Sequence, residues 1–137
     1  MKRRLAREIA LQTLFQLEFS DIEVLVAKRA VFEERELNID ESNSDYVEIL
    51  LKGVTANKAA IDDVLMQYAT HWKLDRMAIV DRNILRIAVY ELKFAPEKLT
   101  ANIIINEAIE IAKIYGSDNS SKFINGILGK LINECQA

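Results

Sequence analysis

Cysteine, proline, glycine and histidine are all scarce in this chain of 137 residues, with one Cys, one Pro, four Gly and one His. Each shortage excludes something. A lone Cys135 cannot build a disulfide framework or a cysteine-based zinc site. His71 stands alone as well, so the expectation is no metal and no cofactor. An all-β fold needs many tight turns, which so few Gly and Pro do not supply. No apolar run approaches the roughly 20 residues that span a bilayer, so no membrane association is expected. The N-terminus is charged and lacks the apolar stretch of a signal peptide. What is present points to a folded helical chain. Half of the residues are hydrophobic and 28% are charged, enough to bury one sizeable core. We therefore expect one mostly helical domain over residues 1–137, in a reducing, cytoplasmic setting.

The net charge of −3 hides an asymmetry. Residues 2–7 carry Lys2, Arg3, Arg4 and Arg7 and no acid, which leaves 14 basic and 21 acidic residues elsewhere, a net of −7. Nucleic acids respond to such local positive fields rather than to overall charge. The bland reading is a solubilising tail. Against it stands the helix macrodipole, which disfavours cations at a helix N-terminus. Arg3, Arg4 and Arg7 are spaced to share one side of a helix.

Hydrophobic periodicity places the helices. Leu5, Ile9, Leu14 and Phe15 mark one face of a first helix, which Leu11 widens, with Gln12 and Gln16 on its polar side. Phe15 fits either the core or a stacking platform. Ser20 and Glu23 have capping-box spacing and Phe19 with Val24 suits a hydrophobic staple, predicting a second helix to about Arg35. Residues 36–44 read as a loop. One long helical stretch is expected from Asp45, with Tyr46, Leu50, Val54, Ile61, Leu65 and Trp72 on its apolar face and Gly53 inside it. A break falls at Leu74-Asp75-Arg76. Asp81 suits the cap of the next helix, which Pro96 follows. Thr100 suits the cap of another, ending at Gly116. Ser117–Ser121 form a polar joint before the last helix.

Little of this resembles a catalytic centre. His71 beside Trp72 reads as structural, and Cys135 as inert. Asp62-Asp63 and Glu33-Glu34 are helical neighbours about 100° apart, which do not converge as an acid–base dyad; they read as solvated faces. Gly126-Ile-Leu-Gly129-Lys130 lacks the spacer and hydroxyl of a phosphate-binding loop and the strand before it. It reads instead as close helix–helix approach through small residues. No enzymatic activity is expected. The basic arm remains, since arginine forks bind phosphates and stack on bases. Lys122 beside Phe123 is a second basic element.

Four segments resemble one family. Arg3-Arg4-Leu-Ala-Arg7-Glu8, followed by Ala10-Leu11-Gln12-Thr-Leu14-Phe15-Gln16, is similar to the N-terminus of the NusB transcription antitermination factors. Asp81-Arg-Asn-Ile-Leu-Arg86-Ile-Ala-Val-Tyr90-Glu-Leu92 resembles the family's central signature. Ile105-Asn106-Glu107-Ala108 through Tyr115-Gly116 and Ser121-Lys122-Phe123-Ile-Asn125-Gly126-Ile-Leu128 resemble the next two, in order and spacing. The resemblance covers Lys2 to about Leu131. It implies an all-α fold of six to seven helices in two packed helical bundles, here about 1–72 and 73–137. It implies a non-enzymatic RNA-binding factor that pairs with the small-subunit ribosomal protein NusE. The pair recognises single-stranded boxA RNA and joins NusA, NusG and RNA polymerase in antitermination, notably on ribosomal RNA operons. Some members form a homodimer that hides the arm.

Carried over residue by residue, the resemblance assigns RNA contact to Lys2, Arg3, Arg4, Arg7 and Phe15, and to Lys122 and Phe123 beside the polar joint. Phe15 stands where the family often has Tyr, and Leu5 where a basic residue is common; both departures imply weaker RNA contact. Asp81 falls at an acidic position used against NusE, with Arg76 close by. Asn106 and Asn125 match motif positions with a structural role. Four phosphate contacts from the arm predict a slope of about −3 in log K against log salt. Two other readings compete. One is a helical adaptor that binds protein only. The other is the NusB-like domain of ribosomal RNA cytosine methyltransferases, disfavoured because no glycine-rich cofactor loop follows.

Overall fold

The computed structural model describes residues 2–38, 45–69 and 74–136, the side chains of 135 and 136 excepted. His71 and Trp72 lie outside the described residues, as do most of the expected 36–44 loop and the Cys135 side chain. Seven α-helices form among the described residues, with no strand: α1 (Arg3–Phe19), α2 (Val24–Glu34), α3 (Asp45–Ala56), α4 (Lys58–Tyr68), α5 (Ile79–Val89), α6 (Ala101–Tyr115) and α7 (Ser120–Gln136). A 3₁₀ turn over Leu74–Arg76 precedes α5, and a π turn over Tyr90–Phe94 extends it. Among the described residues no helix is long and apolar enough to cross a membrane.

Helix α5 is central. It packs against α1, α4, α6 and α7, while α1 also packs on α2 and α3, and α6 on α7. The fully buried side chains come from all seven helices: Ile9 and Leu11, Phe32, Leu50, Ile61, Leu85, Ile104 and Leu128. Burying side chains of this size contributes roughly 1.5–3 kcal/mol each before the entropy of ordering the chain is charged against it.

Several local expectations give way to tertiary packing. The capping box does not form: α2 begins at Val24 with Glu23 at its N-cap and no side-chain cap bond. Phe19 does not staple either; it stays 66% exposed, its ring tilted against Phe15 at 4.9 Å. The long stretch is two helices. Asn57 Nδ2 donates to the Gly53 carbonyl at 2.8 Å, taking an acceptor at the end of α3, and α4 starts at Lys58. Thr100 holds the N-cap position of α6 without a side-chain bond.

The glycines separate by role. A Cβ at Gly53 would lie 2.1 Å from Tyr90 Cε1 and Cζ, so α3 meets the π turn only because that side chain is missing. A Cβ at Gly116 would lie 2.5 Å from the Ser120 side chain. Gly116 has φ −92°, so space and not left-handed backbone selects glycine here. Around Gly126 and Gly129 there is open space, which overturns the close-approach reading of that motif. Asn106 and Asn125 are exposed. The buried asparagine is Asn83, whose amide donates to the Ile79 carbonyl at 3.0 Å.

Candidate nucleic-acid interface

Helix α1 starts immediately after Lys2, so Arg3 and Arg4 occupy its first turn and Arg7 its second. No acid of α1 lies in that first turn. The compensating negative charge comes from other elements. Arg3 Nη2 donates to Glu97, in the segment before α6, at 2.6 Å. Arg4 Nε donates to Glu107 of α6 at 2.9 Å, and its Nη2 reaches the same oxygen. These carboxylates also sit well against the positive end of the α1 dipole.

Arg7 differs in kind. Its side chain is 4% exposed and that of Glu91 1%. Arg7 Nε and Nη2 donate to the two Glu91 oxygens at 2.8 Å each, a bidentate fork, and Nη1 donates to Glu107 at 3.2 Å. Tyr46 of α3 donates its hydroxyl to Glu91. The Arg3 guanidinium lies over the Tyr46 ring, 4.4 Å from its centre, within cation–π range. Burial, and next the hydrogen bond to Glu91, push the Tyr46 hydroxyl pKa well above its ordinary 10.0. The three arginines therefore converge, as their spacing predicts. Only Lys2, Arg3 and Arg4 face solvent; Arg7 is locked inside.

Further along the same side of α1 the fold adds a cation that sequence reading missed. Arg35, just past α2, donates through Nε to Gln12 at 2.6 Å and through Nη2 to Glu8 and the Tyr115 oxygen. Beyond it lies a groove of about 280 Å³ lined by Gln12, Phe15, Gln16, Glu34 and Tyr115. Phe15 is 37% exposed at its edge.

Asp81 is the third residue of α5 and not its cap, because the helix opens two residues earlier. It is 7% exposed, and its Oδ1 has no hydrogen-bond partner. It lines a cleft of about 270 Å³ with Arg76, Ser117, Asn119 and Phe123. Lys122 is exposed beside it. The cleft thus gathers three of the expected residues, Arg76, Asp81 and Phe123, at the junction of α5 with the joint before α7.

A second charged cluster corrects another expectation. Asp62 is not part of a solvated face: it takes Arg86 Nε and Nη2 at 2.8 and 3.0 Å. Glu18 accepts from Arg86 Nη1 at 3.0 Å and from Arg82 Nη2 at 2.8 Å. Burial pushes the Glu18 carboxyl upward, but Arg82, Asn83 and Arg86 together hold it below 4.5. This network ties the end of α1 to α4 and α5. Among the described residues no group of three His, Cys, Asp or Glu is placed to hold a metal ion.

Comparison with known proteins agrees with this architecture. The NusB family model matches residues 4–133. The transcription antitermination protein NusB of Bdellovibrio bacteriovorus is 46% identical over 129 residues, covering 94% of this chain and 93% of that protein. Its counterpart in Bacillus cereus is 47% identical over 131 residues, covering 96% and 97%. The solved structure of NusB from T. maritima superposes with a TM-score of 0.83 at 37% identity, over 98% of this chain and 92% of that one. A crystal structure of antitermination factors NusB and NusE in complex with dsRNA shares the fold, with a TM-score of 0.81 at 24% identity over 96% of each chain. With its helices in this order and its motifs matched along nearly the whole length, the chain belongs to the NusB family.

Proposed function

We propose that this chain is a non-enzymatic, RNA-binding transcription antitermination factor. Together with NusE it binds single-stranded boxA RNA and joins NusA, NusG and RNA polymerase, notably on ribosomal RNA operons. The observation that carries the reading is the exposed set along one side of α1, Lys2, Arg3 and Arg4 at its start and Phe15 near its end, with the partly buried Arg35 held between them on Gln12 and Glu8. Cations of this kind take backbone phosphates, and an exposed aromatic edge takes a base. Arg7 serves as the buried anchor that fixes the row. Phe123 and Lys122 extend the RNA surface across the polar joint.

The partner-binding side rests on Asp81. An unpartnered, nearly buried carboxylate oxygen is unfavourable in the free chain. A basic partner such as a ribosomal protein would satisfy it, with Arg76 at the same cleft setting register. The decisive experiment titrates labelled boxA-like RNA with this protein, with and without NusE, at two salt concentrations and beside a scrambled RNA. Tight, boxA-selective and NusE-enhanced binding is expected. Because Arg7 is withdrawn, three phosphate contacts remain and the arm's share of the log K–log salt slope becomes about −2. NusE binding with no RNA retention would leave a protein-only adaptor. Asp81→Lys should weaken NusE binding and spare RNA binding by the chain alone.

A further inference from the structure

The two solvent-facing arginines already hold carboxylates, and these two pairs can open at less cost than the buried one. Arg3, Arg4 and Glu97 are about half exposed, so water can receive all three. Glu107 is mostly buried, but its second oxygen accepts from Arg7 at 3.2 Å. Arg4 can therefore leave Glu107 without stranding that charge, because Arg7 keeps it. Arg7 has no such freedom, since Glu91 is almost wholly enclosed. Arg3 also stays near its place while changing partner, because the Tyr46 ring lies beneath it and the Tyr46 hydroxyl is fixed on Glu91. The arm is one fixed fork with two exchangeable ones.

We propose that Glu97 and Glu107 are built-in competitors for the anion site, standing where phosphates bind, so that RNA enters by exchange and not into empty forks. This rests on the RNA-binding reading and deepens it. A phosphodiester carries the same single charge as a carboxylate, so exchange at one fork is close to neutral. A lone anion gains little from it. A strand that meets both forks and Lys2 at once gains through effective concentration, since each contact after the first is intramolecular. The glutamates thereby set the arm to favour an extended polyanion over isolated anions.

The test is a double-mutant cycle on labelled boxA-like RNA with NusE present, using wild type, Glu97→Gln, Arg3→Ala and the double variant, with Glu110→Gln as a control for plain loss of a negative charge near the arm. Glu97 is exposed, so its substitution leaves folding intact. Relief of an exposed ion pair should tighten RNA binding about two- to fivefold. In the Arg3→Ala background the Glu97→Gln gain should vanish, and Glu110→Gln should gain less than Glu97→Gln. An equal gain in both backgrounds, or no gain at all, overturns the competitor role while RNA binding stands. Absence of RNA binding by the wild type overturns the RNA-binding reading itself, and the competitor role with it.

Discussion

Arg7→Ala should be a folding variant before it is a binding variant. The substitution removes both donors that hold Glu91 at 2.8 Å and one donor to Glu107. Glu91 is then left almost fully enclosed with the Tyr46 hydroxyl as its remaining partner. Stranding one member of a buried pair costs about 3–5 kcal/mol, against total stabilities of about 5–15 kcal/mol for domains of this kind. The expected readout is a fall in Tm of roughly 10–20 °C by circular dichroism, with a matching drop in the urea midpoint. Arg3→Ala, which opens a half-exposed pair, should stay within about 1 kcal/mol of wild type. The combination Arg7→Met with Glu91→Leu removes both charges together and should recover most of the loss, since apolar replacement of a buried pair is often neutral. If Arg7→Ala melts within a few degrees of wild type, or the double variant is no more stable than Arg7→Ala, the anchor assignment is wrong.

The same packing has other consequences. Gly53→Ala should destabilise by about 1–3 kcal/mol, because its methyl group meets the Tyr90 ring. Gly129→Ala, in open space within α7, should stabilise by up to about 1 kcal/mol, and parallel urea titrations would separate the two signs. Glu18 has a lowered pKa in the folded chain, so its contribution is present above the unfolded value near 4.5 and lost as pH falls through the folded one. Glu18→Gln should flatten stability against pH below about 4.5, and an unchanged acid limb would refute this. Tyr46 has a raised pKa, so its contribution is intact below pH 10.0 and lost as alkali ionises it. Tyr46→Phe should therefore remove part of the alkaline loss of stability, which melts above pH 10 would show.

Legibility in the sequence followed the range of the interaction. The helices at Arg3–Phe19 and Ala101–Tyr115 were readable because a 3.6-residue apolar period acts within a few turns. The stop at Gly116 was readable too, though its reason was not. Glycine is needed there because Ser120 folds back against it, which depends on how α7 leaves the joint. The capping box at Ser20–Glu23 was a local signal that the fold does not use, because Ser20 closes α1 and α2 begins only at Val24.

The candidate site divides along the same line. That Arg3, Arg4 and Arg7 share one helix side is a property of spacing, and the sequence alone determined it. Which of them reaches solvent is not. Arg7 pairs with Glu91, 84 residues away, and Arg4 with Glu107, 103 residues away. Nothing local distinguishes these acids from the other glutamates of the chain. Arg35 joins the row only because α2 packs along α1, and Asp62 leaves the solvated class only because α5 carries Arg86 past it. Periodicity within a helix is dictated by its own backbone geometry. The partners of its charges are dictated by which helices cross and at what depth, and that is where the tertiary structure decided one arginine as an anchor and two as exchangeable forks.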